Sequence, residues 1–145
     1  MADPYQLDRF VAAQDDGSYR DAVAELRAGR KTSHWMWFIF PQVAGLGRTP
    51  TAQYFAISSL DEARAYLRHP VLGPRLRECA GILAGLDRTD PDQILGGVDA
   101  MKLRSSMTLF MTAAPDEPAF GEVLARYFGG VADQLTLDRL TLGRR

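Results

Sequence analysis

Glycine and proline cut this chain of 145 residues into seven or eight short segments, and most of them repeat their apolar residues at a period of 3.6. Leu72, Leu76, Cys79, Ala80 and Leu83 share one stripe of a helix predicted from about Leu72 to Ala84 and closed by Gly85. Phe120, Val123, Leu124, Tyr127 and Phe128 do the same between Asp116-Glu117-Pro118 and the Gly129-Gly130 pair. Ser59 and Glu62 form a capping box ahead of Ala63, Tyr66 and Leu67, and Pro70 interrupts that helix. Asp3-Pro4 opens a first helix ending near Gln14, and Ser18 caps a second that runs to Gly29. Leu135, Leu137, Leu140 and Leu142 alternate in part, but no partner strand exists elsewhere, so this segment too reads as helix. With no sheet to pack on, the helical stripes can be buried only against one another. The expected fold class is all-α, a compact multihelical single domain over residues 1–145 with about seven or eight short helices.

Charge narrows the functional classes. Lys and Arg number 17 against 18 Asp and Glu, so no global field exists to hold a nucleic-acid backbone or an anionic membrane, and any anion must be bound locally. The longest apolar run, Trp35 to Phe40, is far short of the ~20 residues of a membrane span. The start, MADPYQLDRF, lacks the pattern of a secretory signal, and a lone Cys79 makes no internal disulfide. A cytoplasmic location follows as the expectation. Arginine outnumbers lysine 15 to two, so Lys31 and Lys102 stand out as places where a compact ammonium is kept in an arginine-rich background.

The segment from Gly29 to Gln42, GRKTSHWMWFIFPQ, is the densest in chemistry. It matches neither helical nor strand periodicity and reads as central to the fold. Trp35 and Trp37 can stack against a ring or a cation, His34 can donate or accept a proton, Gln42 can orient a ligand, and Lys31 supplies positive charge. The loop Gly45-Leu46-Gly47-Arg48 follows at once, and Arg48 would add an anion donor if the loop folds back on the indoles. The plainer alternative is that the tryptophans are core and the charged groups solvated. A second candidate is Asp99 to Phe110, where Lys102 lies one turn before Ser105 and Ser106 on the polar edge of a core helix. Here too a solvated lysine and serines bonded back to the helix compete with a functional role. His34, His69 and Cys79 are the entire His/Cys inventory and none is at zinc-ligand spacing, so no metal or other cofactor is expected.

Arg27 through Gly45, together with Tyr54 to Ser59, Ala65 to Pro70, Leu72 to Leu76 and Asp99 through Phe110, resembles the bacterial domain-of-unknown-function family 1810. The patterns GRKxxHWMWFxFPQ and KLxSSMTLF carry the resemblance, which covers nearly the whole chain. Some members of that family carry a calpastatin label that nothing in this chain supports. The resemblance implies a mostly helical cytoplasmic domain with no established activity, ligand or partner. It points to Lys31, His34, Trp35, Trp37, Pro41, Gln42, Lys102, Ser105 and Ser106. A fainter likeness is to the helical NADAR domains that act on ADP-ribose derivatives.

The expectation for function is a pocket made where the segment from Lys31 to Gln42 meets the helix of Lys102 to Ser106. It would bind, and in an enzyme process, an anionic ring-bearing small molecule such as a nucleotide or ADP-ribose derivative. His34 and Lys102 are the candidate catalytic residues, and Lys31, Trp35, Trp37, Gln42, Arg48, Ser105 and Ser106 the candidate ligand-binding ones. The alternative is a module for protein–protein interaction or self-association through the Trp/Arg surface, as monomer or homodimer, with no membrane or nucleic-acid partner. Whether any bond is broken is left open.

Overall fold

A computed structural model describes residues 3–142 and contains, among these, ten helices. They are α1 (Asp8–Asp15), α2 (Ser18–Ala28), α3 (Met36–Ile39), α4 (Pro50–Tyr54), α5 (Leu60–Arg68), α6 (Leu72–Gly85), α7 (Pro91–Leu95), α8 (Gly97–Ala113), α9 (Pro118–Phe128) and α10 (Gln134–Leu142). The all-α class is as expected. The additional helices are α3, α4 and α7, each of four or five residues, too short to show a periodicity of their own.

Local chemistry accounts for several helix ends. Thr49 accepts from Ala52 N–H, Asp90 from Asp92 N–H, and Ser59 from Glu62 N–H, each satisfying a donor that the first turn leaves unpaired. Gly29 and Gly129 close α2 and α9 in the left-handed conformation. His69 does more than end α5, since its Nδ1 also accepts from the N–H groups of Val71 and Leu72 at the start of α6. Three expectations shift. The first helix begins at Asp8 rather than beside Pro4, and the Asp3 carboxylate accepts from the N–H groups of Leu7 and Asp8 in the turn that leads into it. Ser18 is the first residue of α2, preceded by Gly17, and its N–H and hydroxyl both donate to Asp16. The helix expected from Asp99 begins two residues earlier, at Gly97.

The centre of the molecule is α8, against which α3, α5, α7, α9 and α10 all pack. From Ser105 to Phe110 every residue is buried, so this stretch is enclosed on all sides. The polar edge expected along Ser105 and Ser106 is therefore interior, because α10 and the segment leading into it cover that flank. Phe10, Tyr66, Phe110 and Phe120 form a chain of ring contacts through one continuous core. No helix among the described residues is long and apolar enough to cross a membrane.

Candidate functional site

The aromatic segment is held in place by a single carboxylate. Glu25, near the end of α2, accepts from Thr32 N–H, Ser33 N–H, the Ser33 hydroxyl and the Trp35 indole N–H at 2.6–3.0 Å. Burial raises the Glu25 pKa, but these four donors outweigh that effect and bring it to about 2. Lys31 N–H donates to Ile94 O at 2.7 Å, docking the same segment on α7. Beyond α3, an isolated parallel bridge pairs Val43 with Ile57, and the Gln42 carbonyl accepts from Ile57 N–H at 2.8 Å.

Both lysines of the chain converge on Asp99 at the start of α8. Lys31 Nζ lies 2.9 Å from one carboxylate oxygen and Lys102 Nζ 3.6 Å from the other. Each ammonium also sits over an indole, Lys31 5.2 Å from the Trp35 ring centroid and Lys102 4.8 Å from that of Trp37. Two cation-on-indole pairs are thus joined by one carboxylate. The pairs are not alike: the Lys31 side chain is 8% exposed and Trp35 1%, whereas Lys102 is threefold more exposed than Lys31 and Trp37 is half-buried.

Lys102 lines a concavity of about 260 Å³ together with Gln42, Leu46, Gly47, Val98, Met101, Ser105, Asp133 and Leu135. Its far wall is built by Asp133, whose Oδ2 accepts from Thr136 N–H and the Thr136 hydroxyl and so caps α10, and lies 3.0 Å from the Ser105 hydroxyl. Thr108 supports the same wall, its hydroxyl oxygen accepting from Asp133 N–H at 2.8 Å. Arg104 donates to the carbonyls of Val131 and Ala132 just before it.

Of the residues singled out in the sequence, Lys102, Gln42 and Ser105 line one hollow, Trp37 lies beneath Lys102, and Lys31 reaches the group through Asp99. Trp35 is sealed in the core, its indole N–H spent on Glu25. His34 and Arg48 are exposed and are not among the residues lining the hollow, and the Arg48 carbonyl accepts from the Gln53 side chain. Ser106 is fully buried, and its hydroxyl has no hydrogen-bond partner among the described residues. No group of three or more His, Cys, Asp or Glu side chains suited to a metal occurs there either. Asp99 and Asp133 were not singled out. Asp99 stands three residues before Lys102, an acid–base spacing visible in any helix, whereas its pairing with Lys31 is set by tertiary packing.

Residues 4–140 match the family described as "Protein of unknown function (DUF1810)". The chain belongs to that family. The DUF1810 assignment spans every element that builds the hollow, from the loop after α3 to α10. A solved structure of the conserved hypothetical protein Rv1873 from Mycobacterium tuberculosis is similar over 96% of this chain and 99% of that one, with 50% identity and a TM-score of 0.93. Among curated proteins no match to this DUF1810 chain is found.

Proposed function

We propose that this protein binds a small, anionic, ring-bearing molecule in the hollow lined by Lys102. One observation carries the reading: two ammonium groups share a single carboxylate, and the more exposed of them, Lys102, is also the one at a cavity wall. Lys31 makes the short contact to Asp99, and the 3.6 Å separation leaves Lys102 without a good hydrogen bond there. Its charge is available to an incoming carboxylate or phosphate. Leu46, Val98, Met101 and Leu135 offer apolar surface to a ring, and Gln42 and Ser105 offer polar contacts that fix its orientation. Asp133 keeps its charge, and its Oδ2 is turned to Thr136 and Ser105, so the anionic group is expected at the Lys102 side of the hollow. The hollow, at about 260 Å³, suits a single ring with one anionic group, a mononucleotide fragment more than a whole dinucleotide. Lys102 and Gln42 act here as binding groups. His34 is exposed and is not among the residues lining the hollow, so no proton-donor role is assigned to it.

The test is thermal denaturation of the full chain against aromatic carboxylates, nucleoside monophosphates and ADP-ribose, with each stabilising compound re-measured by calorimetry on Lys102→Met and Gln42→Ala. Loss of the ammonium is expected to weaken binding about tenfold or more, the value of one charge-assisted contact. If no compound stabilises the protein, or if Lys102→Met binds as the parent does, the reading fails.

A second reading, self-association, is favoured by a different feature. Val98, Met101, Val131 and Leu135 are all more than half exposed, and three of them rim the same hollow. Light scattering on the parent and on Met101→Glu separates the two: a dimer that the substitution dissociates supports the second.

A further inference from the structure

A second hollow, of about 320 Å³, opens where the start of α5 meets the later half of α10, and none of its lining residues belongs to the Lys102 site. Two guanidinium groups from distant parts of the chain, Arg64 and Arg139, line it together with Ser58, Ser59 and Asp61. Their existing commitments are slight. Arg64 Nη1 lies 3.4 Å from Asp61 Oδ1, a long contact between a half-exposed guanidinium and an exposed carboxylate that carries little energetic weight in water. Among the described residues Arg139 makes one long hydrogen bond, 3.3 Å, from Nη2 to Gly45 O, and the rest of its fork has no partner there. Ser59 Oγ accepts from Glu62 N–H, so its own O–H proton remains available to donate.

The negative charge nearby does not balance these cations. Glu62 is buried and its carboxylate is already engaged by Ser58 and by Arg9 at 2.9 Å. Among the described residues Asp61 is thus the single carboxylate lining the hollow, against two guanidinium groups. A carboxylate ligand has two oxygens and is satisfied by one fork. Two forks and a hydroxyl, arriving from different elements, match the three terminal oxygens of a phosphate ester.

We propose that the hollow between Arg64 of α5 and Arg139 of α10 binds a small phosphomonoester, its dianion held by both guanidinium groups and the Ser59 hydroxyl. The volume admits a phosphate with a short substituent.

The experiment titrates the full chain with inorganic phosphate, and then with phosphoserine, at constant ionic strength set by chloride, and follows backbone amide shifts. Saturable shifts are expected from Ser58 through Arg64 and around Arg139, and they persist in Lys102→Met, whereas any shift at Gln42 reports the Lys102 hollow and is lost there. Arg64→Ala and Arg139→Ala are each expected to weaken binding about tenfold, and Arg139→Lys less, because the charge survives but the fork does not. Circular dichroism verifies that the variants fold; should Arg64→Ala not fold, Arg139→Ala alone decides. Shifts that rise linearly without saturating, or equal affinity in the parent and Arg139→Ala, overturn the site. Phosphate that binds while phosphoserine fails to compete overturns the monoester. Lys102→Met is expected to leave the shifts around Arg64 and Arg139 unchanged, so failure here and failure of the ring-bearing ligand at Lys102 are read separately.

Discussion

Asp99 supplies one carboxylate to two ammonium groups, and the three residues are therefore unequal. Removing Lys102 leaves the Asp99–Lys31 pair intact, whereas removing the carboxylate strands a Lys31 side chain that is almost wholly buried. Asp99→Asn is accordingly expected to cost about 3 kcal/mol in urea denaturation and Lys102→Met less than about 1 kcal/mol. Equal costs would mean that the shared carboxylate is not what holds Lys31. The buried hydroxyls of α8 make a second contrast. Ser105 is tied to Asp133, but Ser106 is buried with no partner among the described residues. An unpaired buried hydroxyl costs stability that alanine recovers, so Ser106→Ala is expected to be neutral or up to about 1 kcal/mol stabilising, and Ser105→Ala to cost about 1 kcal/mol. The same melts decide it; a clear loss at Ser106 contradicts the unpaired hydroxyl.

At the scale of elements, the start of α6 is packed closely against the end of α5. A Cβ at Gly73 would meet the Leu67 carbonyl oxygen at 2.1 Å, and because that atom is backbone it cannot swing aside as the nearby Arg77 side chain could. Gly73→Ala is expected to destabilise by about 2–3 kcal/mol, against a gain of a few tenths at exposed Gly81 of the same helix, where a Cβ meets nothing within 4 Å. Thermal melts of the two variants check the contrast. Helix ends of this kind were legible because their causes are local: Ser59, Thr49 and Asp90 cap within three residues, and Gly29 closes α2 by its own backbone. What stayed hidden is tertiary. Nothing near Trp35 foretells that Glu25 takes its indole N–H, and nothing near Ser105 foretells that the start of α10 covers it. For the same reason the convergence of Lys102, Gln42 and Ser105 was visible as a juxtaposition of segments, while Asp99, the residue joining the two lysines, was not.

Over the whole molecule one continuous core joins nearly every helix, so partial unfolding has few places to begin. Acid acts on it through Glu25. The carboxyl sits at about 2 in the folded chain against an ordinary 4.5, so the folded state holds this proton less tightly than the unfolded one. Its stabilisation is complete above the ordinary value and is lost as pH falls through the folded one. After solvent screening of this partly exposed group the loss is expected to be about 1–2 kcal/mol. Urea melts between pH 5 and pH 2 on the parent and Glu25→Gln measure it: the parent's stability declines across that window, and the variant, less stable at pH 5, declines less. Identical pH profiles would remove Glu25 from the account.

The two tryptophans occupy opposite circumstances, one locked in the interior by Glu25 and one lying half-open beneath Lys102. Emission from the locked indole is a constant background, while the other senses every movement of the ammonium above it. An anion that draws Lys102 away from Asp99 therefore changes the intrinsic fluorescence of Trp37, and the protein carries its own optical gauge of occupancy.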